Sequence, residues 1–228
     1  MSFQVIGKLV NVESEYRGNN FLIVDIELEL GSKDRSVPLA LQAKGNEGHR
    51  VLAMLDGAPE GTLVELHGQV EFREGKTRDG DVRTYSDLTV YHALIRGNVG
   101  QLSSAFRMQG FITGLKDIPR RDGGTFQVGE LNPVAFSRNE HIPFASIDMH
   151  MSEEHLDTWR KNIGNFVFVI GDITGYKSKG RNGGADRVWP RFSVTNLNVA
   201  EPPGWMSEYV PEIEEGAAPE QDEPEFEF

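Results

Sequence analysis

Residues 20–30, NFLIVDIELEL, alternate cleanly. Leu22, Val24, Ile26 and Leu28 share one face, and Asp25, Glu27 and Glu29 share the other. A period of two with one apolar face is a half-buried strand. Flanking runs predict further strands at 3–13 and 36–43. The period then changes. Val51, Leu52 and Leu55 sit at helical spacing within 46–55, and Gly57, Pro59 and Gly61 end that segment. Two more strands are predicted at 62–73 and 83–95, separated by the Gly-rich charged turn EGKTRDGD. The order is β-β-β-α-β-β.

The same order recurs downstream. Strands are predicted at 106–116, 125–134 and 141–149. A helix follows, N-capped by Ser152, with Glu153, Glu154 and Asp157 favouring its positive end, and it runs to about residue 162. Strands at 165–176 and 187–199 flank the turn KSKGRNGG. The copies align at a nearly constant offset. Phe3, Val5, Gly7 and Leu9 match Phe106, Met108, Gly110 and Ile112, and Gly61 and Gly68 match Gly164 and Gly171, all 103 residues on. Tyr85, Leu88 and Val90 match Trp189, Phe192 and Val194 at 104, after one insertion in the turn. The plainer alternative is one continuous β-sandwich. We expect an all-β chain with short helices, built as two tandem units, 1–100 and 101–199, joined near 97–105. Five strands with a helix between the third and fourth is the layout of the OB-fold, a small Greek-key barrel. Gly7, Gly110, Gly68 and Gly171 lie mid-strand, which fits the sharp bends of such a barrel.

Charge alters this picture only once it is located. The chain has 228 residues, 35 acidic and 23 basic, for a formal charge of −12. Residues 200–228 hold ten of the acids, five prolines and no Lys or Arg. The body is therefore close to neutral, with 11 basic and 15 acidic residues in 1–100 and 12 and 10 in 101–199. A whole-chain reading would argue against nucleic acid, but phosphate binding depends on local patches. The tail is too acidic, too proline-rich and too poor in apolar residues to build a core, so disorder is expected from Glu212 onward. Phe226 and Phe228 still place two aromatics in its last three positions. The absence of cysteine excludes disulfides, thiol catalysis and Cys-ligated zinc, and suits a reducing cytoplasm. Neither a signal peptide nor an apolar run of membrane-spanning length is visible, so a cytoplasmic protein without a membrane partner is expected.

Two OB-like units and the tail Glu220-Gln221-Asp222-Glu223-Pro224-Glu225-Phe226-Glu227-Phe228 together resemble single-stranded DNA-binding proteins of bacteria and bacteriophages. The resemblance spans the chain in architecture and includes the loops between strands 1–2 and 4–5 of each unit. The tail departs from the usual bacterial ending of aspartates followed by Ile-Pro-Phe and is closer to looser phage versions. What the resemblance implies is a non-catalytic protein that coats single-stranded DNA in replication, recombination or repair. Phe226 and Phe228 would dock on partner proteins. Each chain would act as a monomer or pair as a homodimer that presents four units.

Single strands are held by a groove that tracks phosphates and by aromatic faces on which bases stack. OB-folds use one sheet face and the loops between strands 1–2 and 4–5. Basic residues fall there: Arg17, Lys76, Arg78 and Arg83 in the first unit, and Arg120, Arg121, Lys177, Lys179, Arg181 and Arg187 in the second. The first set is diluted by Glu74, Asp79 and Asp81. Strand parity places Phe192 and Val194 in the core, with Leu88 and Val90 as counterparts. Trp189 and Arg191 then point outward, as does Tyr85, and Tyr176 lies at the mouth of the same loop. An outward Trp beside an Arg suits stacking and cation–π contact, and packing between units is its alternative. Phe168 and Ile170 give their strand a second apolar face, which either stacks bases or is buried against another unit or subunit, burial being the expectation. Phe72 is expected in the core.

Enzyme readings do not hold. Gly75-Lys76-Thr77 resembles the end of a phosphate-binding P-loop, but Val70 stands where that motif needs glycine, and a strand follows rather than a helix. His150 and His155 with Glu153 and Glu154 lack zinc-protease spacing, and acids at a helix start have a capping explanation, so no metal or other cofactor is expected. The competing function is an OB-fold scaffold for a replication or recombination complex, or an acidic mimic of DNA. RNA is the competing ligand, since stacking surfaces serve both chemistries.

Overall fold

The computed structural model describes residues 1–18, 21–31, 37–76, 82–119, 123–134, 144–178, 187–206, 209, 211 and 213. Among these, ten strands form one continuous sheet with two α-helices against it. In the first half they are β1 (Ser2–Arg17), β2 (Phe21–Leu30), β3 (Val37–Lys44), α1 (Gly45–Leu55), β4 (Leu63–Lys76) and β5 (Val82–Gly97). In the second they are β6 (Ser103–Pro119), β7 (Thr125–Pro133), β8 (Ile147–His150), α2 (Glu153–Lys161), β9 (Phe166–Ser178) and β10 (Arg187–Val199). No helix among the described residues is long and apolar enough to cross a membrane.

The alternation in β2 does what it predicts. Leu22, Val24, Ile26 and Leu28 are buried, while Glu27 is exposed and Asp25 and Glu29 are intermediate. Pairing then closes a ring. β1 lies antiparallel to both β2 and β4, β2 pairs with β3, and β4 pairs with β5. The parallel contact Gln42↔Thr89 joins β3 to β5 and shuts the circuit. The second half repeats it, with β6 against β7 and β9, β7 against β8, β9 against β10, and a short parallel contact between β8 and β10. Each ring has five strands and a helix between its third and fourth, which is OB-fold-like.

The repeat extends to irregularities. The β1–β2 register skips Val10, and β6–β7 skips Thr113, which is 103 residues on. The β4–β5 register skips Tyr91, and β9–β10 skips Thr195, which is 104 on. Bulges of this kind bend a strand and raise its twist, as closure of a small barrel requires. The matched glycines have a sharper reason than bending alone. A Cβ on Gly68 would collide with the Thr89 carbonyl oxygen and the Phe3 ring, and one on Gly171 with the Ser193 carbonyl oxygen and the Phe106 ring. Phe3 and Phe106 themselves pair across β1 and β6, antiparallel from Ser2↔Arg107 to Ile6↔Ser103. Equivalent residues thus face each other at the join, which makes the halves related by an approximate twofold.

The helices plug the barrels differently. α1 buries Val51 and Leu55. α2 buries Trp159, which is fully enclosed and donates its Nε1–H to the Gly114 carbonyl at 3.0 Å, a residue that periodicity alone leaves unassigned. Ser152 does occupy the N-cap of α2, but its hydroxyl makes no capping bond. It pairs with His155 Nδ1 at 2.8 Å instead, while His155 Nε2 meets the Thr195 carbonyl at 3.0 Å and ties the helix to β10. One expectation needs adjusting. The strand expected at 141–149 is β8, and residues 144–146 just before it are not strand. The segment after β10 does not leave the body at once. A 3-10 turn at Gly204–Met206 buries Met206 against Phe111, Val134 and Phe166, and the Tyr209 ring lies 5.0 Å from that of Phe111.

Candidate nucleic-acid interface

The outward face of the second barrel is built by strand parity and pairing. In β10 the inward Phe192 and Val194 are buried, which leaves Trp189, Arg191 and Ser193 on the other side. Antiparallel pairing sets Trp189 opposite Tyr176 and Arg191 opposite Thr174 on β9. The Arg191 guanidinium lies over the Tyr176 ring, 5.3 Å from its centre, a cation–π contact on a ring that is 44% exposed. Trp189 is half-buried. Its ring sits 5.7 Å from that of Tyr85, so the two outward aromatics of the repeat meet each other across the units. Trp189 is thus on the outward face and in contact across the units at once.

The parallel contact extends this face to β8. It pairs Ser193 with His150, bringing His150 alongside Arg191. Phe126 of β7 stacks on the His150 ring with centroids 5.9 Å apart and planes 27° off parallel. Burial pushes the His150 pKa down, Arg191 pushes it further, and Asp148 opposes. His150 is therefore a neutral imidazole at physiological pH. Asp148 is bonded by Lys116 at 3.3 Å. The sequence reading missed Phe126 and His150. The parallel β8–β10 contact that brings them in leaves no local trace.

The remaining expected residues are less concentrated. Lys177 and Arg187 are exposed at the far ends of β9 and β10, but pairing of Lys177 with Val188 puts it on the opposite face from Trp189. Arg83 is exposed and shares a face with Tyr85, while Lys76 pairs with Val82 on the other. Arg17 is exposed at the end of β1 and pairs with Glu15 at 2.7 Å, a surface ion pair of small energetic weight. Phe72 is partly buried, packed on the core and 5.6 Å from the Phe144 ring of the second unit. Phe168 is not covered by the other unit: within the chain it is 46% exposed. Arg78, Arg120, Arg121, Lys179, Arg181, Phe226 and Phe228 lie outside the described residues. No group of His, Asp and Glu among the described residues is arranged to hold a metal ion.

The fold and this face define an OB-fold-like tandem barrel with exposed aromatics beside Arg191 on its outer surface. Comparison with solved structures finds the same architecture in the single-stranded DNA-binding protein of Thermus aquaticus. The wild-type protein aligns with a TM-score of 0.60 at 15% identity, over 89% of this chain and 93% of that one. A deletion mutant of the same Thermus protein aligns with the same score and identity over 89% and 95%. The mitochondrial single-stranded DNA-binding protein of S. cerevisiae gives a TM-score of 0.36 at 12% identity, over 43% of this chain and 97% of that one, too low a score to bear on the argument. No family model matches the chain, and no curated protein matches it by sequence.

Proposed function

We propose that this chain is a non-catalytic, cytoplasmic single-stranded DNA-binding protein that coats DNA with little sequence preference during replication, recombination or repair. The observation that carries the reading is the outward cluster of Tyr176, Arg191 and Trp189 on one barrel face, with Tyr85 alongside. Aromatic faces beside a guanidinium offer base stacking and phosphate contact together, and neither depends on which base is present. The units 1–100 and 101–199 act as the binding body. The acidic segment ending in Phe226 and Phe228 recruits partner proteins, and as a local polyanion it competes with DNA for the basic loops.

A gel shift with labelled oligo-dT tests the first claim. Binding is expected, and it should weaken steeply as salt rises, because each neutralised phosphate releases counterions. Failure to bind dT at low salt would leave the protein-scaffold reading in its place. Oligo-dT should also quench the Trp189 signal, and Trp189→Ala should weaken binding by about 1–3 kcal/mol. Deleting residues 212–228 should tighten DNA binding at low salt. Unchanged affinity across a salt series would remove the competitor role from the tail without touching the rest.

A further inference from the structure

The two barrels present the same row of positions on their outward faces and fill it with different side chains, although each sets a guanidinium over a tyrosine ring. In the second barrel the row runs across four neighbouring strands: Tyr176 on β9, Arg191 on β10, His150 on β8 and Phe126 on β7. Its members touch in two pairs, Arg191 over Tyr176 at 5.3 Å and Phe126 on His150 at 5.9 Å. With strands about 4.8 Å apart, the row spans about 14 Å of surface. It offers three aromatic rings and one guanidinium; Asp148, bonded by Lys116, and Asp172 lie on the same face beside it, as Asp25 lies beside the row of the first barrel.

The counterparts in the first barrel follow from pairing and offset: Arg73 for Tyr176, Asp87 for Arg191, Gln42 for His150 and Ile23 for Phe126. That row is closed on itself. Arg73 Nε donates to Asp87 at 2.8 Å, and Gln42 Nε2 donates to Asp25 at 2.6 Å. Ile23 is buried. The Arg73 guanidinium already has a carboxylate partner and also lies over the Tyr85 ring, 4.9 Å from its centre; Asp87 stands where the second row has Arg191, and no member of the row is itself aromatic. Repulsion between carboxylate and phosphate adds to the deficit.

Resting on the single-stranded DNA reading, we infer that the second barrel is the principal DNA-binding surface, with Phe126 and His150 completing a stacking row with Tyr176 and Arg191, and that the first barrel's matching row is self-neutralised. His150 contributes as a neutral ring, a stacking surface rather than a cation. The chain therefore engages the strand asymmetrically, and affinity is concentrated in one unit.

Fluorescence anisotropy of full-length protein with labelled oligo-dT tests this. Phe126→Ala and Tyr176→Ala should each weaken binding by roughly 5- to 150-fold, the range of losing one stacked base. Arg73→Ala and Gln42→Ala should cost less than about threefold, the scale of an exposed ion pair. Asp87→Asn should tighten binding by freeing Arg73. Should Phe126→Ala lower the melting temperature, Phe126→Leu keeps most of the volume and removes the ring, and the same loss is expected of it. If wild-type protein binds dT but the first-barrel variants cost as much as the second-barrel ones, the asymmetry is overturned and the DNA reading stands. Unchanged affinity in Asp87→Asn overturns the self-neutralised row. If wild-type protein does not bind dT, the DNA reading falls and this inference falls with it.

Discussion

On the sheet face that runs across the join, the two halves diverge as sharply as they do on the outer barrel faces. At the 103-residue offset, Gln4, Glu65 and His67 of the first half correspond to Arg107, Phe168 and Ile170 of the second. In the first half Glu65 is 3% exposed and receives Gln4 at 2.6 Å, His67 at 2.8 Å and the Arg96 guanidinium. In the second half an exposed phenylalanine stands in the place of that buried carboxylate. Yet both halves share the bulges at Val10 and Thr113 and at Tyr91 and Thr195, the same colliding glycines and the same Phe3–Phe106 join, with one further shift at Leu63/Val64 in the first half. Closing a five-stranded ring dictates the backbone irregularities and the glycines beneath them, so those repeat. Nothing in ring closure dictates the outer side chains, and there the copies have taken separate chemistry.

That division can be broken at its shared part first. Gly68→Ala and Gly171→Ala each force a methyl group into a backbone carbonyl, so both should destabilise by about 3 kcal/mol or more, by similar amounts. Chemical denaturation measures this, and a mild effect in only one of them would show that the halves close differently. Next in size is Glu65→Ala, which strands three donors at a nearly buried position and should cost about 1–3 kcal/mol. Smallest is Phe168→Ala, below about 1 kcal/mol, because nearly half of that ring already faces solvent.

Acid sharpens the same contrast. Burial raises the Glu65 pKa, but bonds from Arg96, His67 and Gln4 outweigh it and hold the carboxyl below the usual range. The unfolded chain then takes up the proton more readily than the folded one. The contribution is whole above the ordinary carboxylate range and drains away as pH falls through the lowered value. Glu65→Gln should flatten this acid limb of the stability profile. His150 adds a second window of the same sign, since its lowered pKa makes acidification below the ordinary histidine range destabilising. His150→Gln should remove that window and leave the Glu65 limb intact, as read by melting temperature against pH.

Much of the fold was legible because it rests on local period. The alternation in β2 and the inward pair Phe192 and Val194 needed only parity, and the repeat offset located the matched glycines and strands. What could not be read depends on pairing between distant strands. His150 enters the candidate interface through two parallel residue pairs, and Phe126 enters through His150. Neither signal is present within its own stretch. Trp159 sits on a helix of nine residues, too short for its apolar side to stand out. Met206 and Tyr209 lie in a proline-rich, acidic stretch whose composition masks their docking on Phe111. Part of the aromatic side of the candidate site was legible: Trp189 and Tyr85 by parity, and Tyr176 by its place at the mouth of the loop.

The strand shared at the join ties the fates of the two halves together. From Ser2 to Ile6, β1 is hydrogen-bonded on one edge to β4 of its own ring and on the other to β6 of the next. The first half therefore cannot lose β1 without stripping a neighbour from the second. Cooperative unfolding follows: calorimetry should show one heat-absorption peak, with calorimetric and van't Hoff enthalpies equal for the whole body rather than for half of it. Trimming the chain through Ile6 should split that peak in two. The stretch from Ser2 to Ile6 would then be the hinge pin of the molecule's cooperativity as well as the edge of a barrel.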